Sequence, residues 1–546
     1  METAADVVGS TLARLGVDTA FGLMGSGNLV ATNALVAGGA TLHAARHEGG
    51  AVGMADGWAR VTGRVGVASV HQGPGLTNTL TALAEAAKAR TPLLVLSGET
   101  PAWALRSNFR IDQHGLVESV GAVAERLHAP SSAAADAARA LRRAAVERRP
   151  VVLMLPIDLQ AQGAGEAGAA AEPAPVPAPP APTAAAIAEA AALLAGARRP
   201  AIVGGRGAVL AGAGEALRAL GDRVGALLAT SAVAHGLFAG DPYNLGISGG
   251  FASPLAAELL PEADVILAFG ATLNHWTTRH GALIGDGARV IQVDLDPSAL
   301  GAHRPADVAI VGDVAAAARA LADAVPEAPG WRGTPDLAAT IASRRWRDEP
   351  YEDVSGDAHV DPRTLSIALA DLLPEDVAIA VDSGHFTGYP AMYLDVADPR
   401  AWLFANAFQA VGLGLGCAIG AAVARPDRVT VAALGDGGAF LSIAEIETAV
   451  RLGLRLLVVV YDDAAYGAEV HHFEPLGRDV SSARFPDADL AAIARGMGAE
   501  GITVRGVADL APVATWLRAG AGPLVVDAKV DPTICAAWLE EAFRAG

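Results

Sequence analysis

Leu434-Gly435-Asp436-Gly437-Gly438-Ala439-Phe440 and, further on, Val460-Tyr461-Asp462-Asp463-Ala464-Ala465-Tyr466-Gly467 are the stretches on which the reading of this chain turns. Each runs from apolar residues into a turn, the pattern of a strand meeting a helix in an α/β sheet. Glycines 435, 437 and 438 let the backbone turn tightly and bring its N–H groups close to an anion. Asp436 offers a hard oxygen ligand, and Asp463, 27 positions on, offers a second. Mg²⁺ prefers a few carboxylate or carbonyl oxygens together with diphosphate oxygens and water. The two stretches together read as a metal–diphosphate cradle. Alone, Gly435 to Gly438 would be an ordinary strand-to-helix turn.

At 546 residues the chain is too long for one hydrophobic core, so two to four domains are expected. Hydrophobic residues make up 52%, which with clear periodicity marks a globular protein. A net charge of −19 argues against nucleic acid or an anionic membrane as partner. Cys417 and Cys535 form neither a disulfide framework nor a metal cluster. With no basic start followed by an apolar run at Met1-Glu2-Thr3-Ala4-Ala5-Asp6, a cytoplasmic home is expected. Apolar, β-branched strands alternate with Ala-rich helical stretches, the pattern of parallel α/β sheets. The Ala/Pro-rich run from Ala161 to Thr183, with Pro173, Pro175, Pro177, Pro179, Pro180 and Pro182, reads as a semi-extended linker. A weaker break runs from Pro326 towards Asp361.

Other motifs cluster at predicted strand ends. Arg46-His47-Glu48 leads into an Ala-rich helix, where an acid also simply suits the helix dipole. His71-Gln72-Gly73-Pro74-Gly75 follows a strand ending at Val70, at the edge where α/β sheets place ligands. Asp382-Ser383-Gly384-His385 follows the strand Ala378 to Val381. In the middle block, Ala201 to Gly207 and Val265 to Gly270 are strands running into glycine turns, but the full Gly-x-Gly-x-x-Gly fingerprint is missing. FAD in that block is left open without sequence support; His275, Trp276 and Arg279 are its residues placed to reach a ligand or the active site. His471 and His472, adjacent on a predicted helix, point in different directions and make a poor metal pair.

The Gly-Asp-Gly, its spacer and the acidic pair resemble the thiamine-diphosphate signature of the acetolactate synthase, pyruvate decarboxylase and benzoylformate decarboxylase family, where an Asn pair stands in place of Asp462-Asp463. The resemblance covers essentially the whole chain. It implies three doubly wound parallel-sheet α/β domains: pyrimidine-binding (1–160), central (184–325) and diphosphate-binding (360–546), joined by linkers at 161–183 and 326–359. It implies thiamine diphosphate and Mg²⁺ as cofactors, with Asp436, Asp463 and the Ala465 carbonyl on the metal. Ser383, Gly384, His385, Gly435, Gly437, Gly438, Tyr466 and Gly467 would then lie around the cofactor. Glu48 would hydrogen-bond N1′ of the aminopyrimidine, favouring the imino tautomer that deprotonates thiazolium C2. The Gln409 carbonyl would accept from the 4′-amino group. Val411, where the family usually has Met, Leu or Ile, would wedge between the rings. Ser26 and His71 match active-site residues of benzoylformate decarboxylase, although Met24 replaces a Pro. Gln113 matches an active-site Gln of acetolactate synthases, although Asp-Gln-His replaces Phe-Gln-Glu. Glu469 matches a catalytic Glu of pyruvate decarboxylases; otherwise it is one polar group on an exposed helix face. Asp463 adds negative charge beside a diphosphate, so an altered metal affinity is expected.

The implied activity is formation of an acyl-anion equivalent from a 2-oxo acid and its transfer to a second carbonyl, as in acetolactate synthases. The alternatives are non-oxidative decarboxylation, and lysis of a 2-hydroxyketone or 2-hydroxyacyl-CoA. A non-catalytic paralogue would have lost Glu48 or Asp436, and both are present; a nucleotide-dependent oxidoreductase lacks its fingerprint. The family joins the diphosphate domain of one subunit to the pyrimidine domain of another, which implies a dimer or tetramer.

Overall fold

The computed structural model describes residues 2–165 and 175–543, so part of the Pro-rich linker lies outside the described residues. Three six-stranded sheets follow one another along the chain, and every strand pairing is parallel. The first comprises β1 (Thr19–Gly22), β2 (Thr41–Ala44), β3 (Gly66–Val70), β4 (Leu93–Glu99), β5 (Val123–Arg126) and β6 (Pro150–Pro156). The second comprises β7 (Pro200–Gly204), β8 (Leu227–Thr230), β9 (Asn244–Ile247), β10 (Val265–Phe269), β11 (Arg289–Asp294) and β12 (Val308–Val311). The third comprises β13 (Val377–Val381), β14 (Trp402–Phe404), β15 (Val429–Gly435), β16 (Leu456–Asp462), β17 (Glu500–Val504) and β18 (Leu524–Lys529). Central strands such as β3, β4, β15 and β16 are buried almost throughout, as strands covered by helices on both faces must be.

The first sheet has the order β2-β1-β3-β4-β6-β5 and the third β14-β13-β15-β16-β18-β17, the same arrangement used twice. In each, the chain reverses direction across the sheet between its first and third strands, and the crevice outside the C-terminal ends of those strands is where doubly wound sheets bind ligands. The middle sheet has the order β12-β11-β10-β7-β8-β9, with its reversal between β7 and β10. There the crevice is filled by backbone: Gly205 N–H donates to Phe269 O at 2.9 Å and Gly207 N–H to Gly270 O at 3.0 Å. These glycines serve close packing of the two loops.

Of the stretch 326–359, read from sequence as a linker, the first part is built into the middle domain, whereas Arg347, Tyr351 and Glu352 bond the helix Pro362–Leu372 of the third. The first part carries helix Leu337–Ser343, and Trp331, Leu337 and Ile341 join the core on one face of the second sheet. Pro329, Gly330 and the charged run from Arg344 to Glu349 mask those three widely spaced apolar residues in the sequence.

The outer domains share one hydrophobic core, which runs from Phe21, Met54 and Leu83 to Ile379, Val431 and Leu457. Its seam is helix Glu48–Thr62 packed on helix Gly414–Ala424. A Cβ on Gly57 would fall 2.0 Å from Cys417 O, and one on Gly420 would fall 1.9 Å from Met54 O. Only glycine permits so close a helix contact. No described helix is long and apolar enough to cross a membrane.

Gly57→Ala is expected to cost about 1–3 kcal/mol by overpacking. Gly53→Ala, whose new methyl would be 3.7 Å from its nearest neighbour, is expected to be neutral or mildly stabilising, because alanine favours a helix. Thermal midpoints of the two variants compare these directly; equal losses would refute the seam.

Candidate active site

The loops after β13, β15 and β16 converge on one cavity of about 460 Å³, lined by Ser383, Gly384, His385, Gln409, Val411, Gly435, Asp436, Gly437, Gly438, Asp463, Ala465, Tyr466, Gly467 and Glu469. Thus every third-block residue placed around the cofactor or metal by the resemblance borders one space. Aromatic side chains close it from elsewhere: Phe251 and Trp276 of the middle domain, Phe404 of β14, and Trp538 and Phe543 of helix Trp538–Phe543. Of the middle-domain residues left open by the sequence, Trp276 reaches this cavity. His275 lines a separate cleft, and Arg279 lies 3.9 Å from Glu541.

Asp436 opens helix Asp436–Ser442, and Asp463 sits in the turn after β16. Asp436 is buried and Asp463 partly buried, and no Lys or Arg lines the cavity among the described residues. Burial, and then the charges of Asp463 and Asp462, push Asp436 up to about 8. Burial, together with Asp462, pushes Asp463 up to about 7. Asp462 points away into another cluster. Its Oδ2 accepts from Lys529 Nζ at 2.6 Å, because β16 and β18 pair Asp462 with Lys529 in register. Asp487 and Asp527 complete that cluster at 2.6 and 3.0 Å from the same ammonium. The two acids that replace the family's Asn pair are therefore unlike: Asp462 is neutralised behind the sheet, and Asp463 faces the cavity.

His385 is held neutral, its pKa lowered to about 3 by burial and then by His471, whose ring lies 4.4 Å away. Its Nε2 accepts the Ala536 N–H at 2.8 Å, which leaves the proton on Nδ1, 4.0 Å from Asp463 Oδ2. Trp538 Nε1 donates to His385 O at 3.1 Å. These contacts from the C-terminal segment were invisible in the sequence. So was Asp382, whose carboxylate accepts N–H bonds from Gly412, Leu413 and Gly414 at 2.8, 3.2 and 3.1 Å. It caps helix Gly414–Ala424 and shapes the loop behind Val411. Burial raises its pKa to about 6, against the pull of those N–H groups. His472 stacks on Phe543 at 3.7 Å while His471 turns to His385, so the tandem histidines do separate packing jobs.

The first block builds a second constellation, at the reversal point of its own sheet. Glu48 begins helix Glu48–Thr62, capped by His47 Nδ1 accepting from Gly49 N–H. Asn78 Nδ2 donates to Glu48 Oε2 at 2.9 Å and fixes the carboxylate. His71 Nδ1 accepts from Gly27 N–H at 3.0 Å, which leaves Nε2 as the donor; burial lowers its pKa. Ser26 is exposed beside it. Gln113 is buried, accepting from Gly73 N–H at 2.9 Å and donating to Gly98 O at 3.0 Å. Both ends of its amide brace the loop after β3. Across the seam Glu445 accepts the N–H of His47 at 2.9 Å and of Arg46 at 3.1 Å, a hold on Glu48 from the third domain that no local motif signals. Glu48, His71, Ser26 and Gln113 do not line the cavity of their own chain.

Comparison with known proteins gives this paired arrangement a family. Models of the thiamine pyrophosphate enzyme N-terminal TPP binding domain, central domain and C-terminal TPP binding domain match residues 2–124, 187–321 and 382–528. The chain belongs to the thiamine pyrophosphate enzymes. It is similar to a sulfoacetaldehyde acetyltransferase of Castellaniella defragrans, 32% identical over 92% of this chain and 88% of that protein. It is also similar to an acetolactate synthase large subunit of Mycobacterium tuberculosis, 30% identical over 95% of this chain and 94% of that one. A probable 2-ketoarginine decarboxylase of Pseudomonas aeruginosa is 33% identical over 95% and 92%. A thiamine-diphosphate-dependent enzyme with its domains in this order is thereby established.

The raised acids give this thiamine pyrophosphate enzyme a pH signature. Between the ordinary value of 3.8 and the folded values of about 7 and 8, the folded state holds protons that the unfolded state has released. Stability of the chelator-treated protein is therefore expected to fall as pH rises from about 5 to 8. The drop should shrink in an Asp436→Asn variant, which leaves only the share of Asp463 and other raised acids. Thermal midpoints across that range check it; equal slopes in both proteins would show that Asp436 ionises freely.

Proposed function

We propose that this enzyme takes the acyl unit of a 2-oxo acid and passes it to a second carbonyl, as an acetolactate synthase-like carboligase dependent on Mg²⁺. The observation that carries the reading is the cavity wall of Phe251, Trp276, Phe404, Trp538 and Phe543, with no Lys or Arg among the described lining residues. A wall of this kind keeps water and proton donors from a reactive carbon until a second carbonyl arrives. Thiamine diphosphate supplies, when bound, the carbon nucleophile that adds to the 2-oxo acid.

The residues present fit both groups. Asp436, Asp463 and the Ala465 carbonyl would hold Mg²⁺, a hard cation suited to oxygen donors. Their buried, mutually repelling carboxylates lack any other neutralising charge in the cavity. Ser383, Gly384, His385, Gly435, Gly437, Gly438, Tyr466 and Gly467 would surround the diphosphate. A Cβ on Gly438 would fall 2.3 Å from Asp382 Oδ2, so the cradle requires glycine there. His385 would donate from Nδ1. Gln409 and Val411 would hold the aminopyrimidine and the bend between the rings.

Glu48, set by Asn78 and Glu445, would share a proton with N1′, with His71, Ser26 and Gln113 beside the substrate. We place these in the cavity of a second copy of the chain. Apolar side chains support this pairing, exposed beside both constellations: Leu29, Val30, Trp103 and Leu105 on one, Phe440, Leu441 and Leu476 on the other. A second reading, non-oxidative decarboxylation, is favoured by Glu469 on the cavity wall, where a carboxyl group would deliver the proton that ends the reaction.

Purified protein with thiamine diphosphate, Mg²⁺, a panel of 2-oxo acids and acceptor aldehydes is expected to give acyloins by mass spectrometry. Free aldehyde alone would establish the decarboxylase reading instead. Glu48→Ala is expected to lower kcat at least about a hundredfold, in line with loss of a general acid–base group, with the fold intact by circular dichroism. Mixing inactive Glu48→Ala and Asp436→Ala chains is expected to restore part of the activity, because one mixed pair carries one intact site. No restoration after subunit exchange would refute the shared site.

A further inference from the structure

The segment from Phe404 to Gly414 links β14 to helix Gly414–Ala424 and carries Gln409 and Val411 at the cavity edge. Gln409 has φ of 59°, in the left-handed region that a non-glycine residue seldom adopts. Such a conformation persists only where the surroundings over-determine it. On its C-terminal side the determinant is Asp382, within the same domain.

On its N-terminal side the determinant comes from another domain. Glu85, on helix Leu80–Ala89, is 2% exposed, and its Oε2 accepts the Phe408 N–H at 2.6 Å. Its other oxygen accepts from Arg60 Nη2 at 3.0 Å. Arg60 also donates to Phe404 O at 2.9 Å and pairs with Asp56 at 2.8 Å. The Lys88 ammonium lies 5.7 Å over the Phe408 ring, and Arg206 of the middle domain donates to Lys88 O at 3.0 Å. A short, charge-assisted bond from a buried carboxylate is the strong kind, and this one ends one residue before the strained turn.

We infer that Glu85, oriented by Arg60, is a positioning residue for the cofactor. It fixes the Phe408 N–H so that Gln409 stays in its left-handed turn with its carbonyl, and Val411, presented to the aminopyrimidine. Glu85 and Arg60 do not line the cavity. The inference rests on the roles of Gln409 and Val411 proposed above.

The test is calorimetric titration of the cofactor-free protein with thiamine diphosphate at saturating Mg²⁺, together with the circular dichroism induced in the bound cofactor. Glu85→Ala is expected to weaken binding at least about tenfold and to diminish the induced band. Glu85→Gln, which keeps a neutral acceptor and nearly the same shape, is expected to weaken it about threefold and to rescue the band. Asp56→Asn loosens the hold on Arg60 but leaves the Glu85–Phe408 bond itself in place, and is expected to bind within about twofold of the parent protein. Parent-like affinity in both Glu85 variants would overturn the inference, as would a loss in Asp56→Asn equal to that in Glu85→Ala. If Glu85→Ala fails to fold, the Glu85→Gln and Asp56→Asn comparison decides alone. Failure of the parent protein to bind thiamine diphosphate would instead overturn the cofactor roles from which the inference starts.

Discussion

The contact between helix Glu48–Thr62 and helix Gly414–Ala424 is the constraint on which the rest depends. Gly57 and Gly420 let the two backbones touch, and the outer domains consequently share one core. Everything that matters chemically hangs from those two helices. One begins with Glu48; the other is preceded by Val411 and capped by Asp382. Contacts that cross the seam, Glu445 to His47 and Glu85 to Phe408, align each constellation against the domain that does not carry it.

Charge is arranged around this weld with a clear division. Behind the third sheet, Lys529 neutralises Asp462 within a cluster of acids. In front of it, Asp436 and Asp463 have no Lys or Arg partner among the described residues, and His385 beside Asp463 is kept neutral. The cavity therefore holds an unmet demand for positive charge confined to two carboxylates.

Much of this was legible in the sequence because it is local. Glycine turns after apolar runs gave the strand ends, and Arg46-His47-Glu48 gave a helix start. What was not legible is held together by long-range contacts. Asp382 reads as an ordinary acid after a strand, and nothing near Glu85 or Glu445 announces that it bonds a backbone N–H more than 300 residues away. Gln113 stood out by its motif, yet the structure shows its amide occupied by backbone at both ends. The stretch 326–359 looked like a linker because its core residues are sparse: Trp331 stands alone, and Leu337 and Ile341 give a single i, i+4 pair. Trp276 could be placed at the cavity only once the middle domain had been docked on the third.

The shared strand order of the first and third sheets has a geometric consequence. The helices that meet at the seam occupy equivalent places, each the first to follow the edge strand, β2 in one domain and β14 in the other. Like element meets like element, as in an isologous dimer. Within a single chain, that gives the two outer domains a pseudo-twofold relation, with the glycine turns of one and Glu48 of the other each at the reversal point of its own sheet.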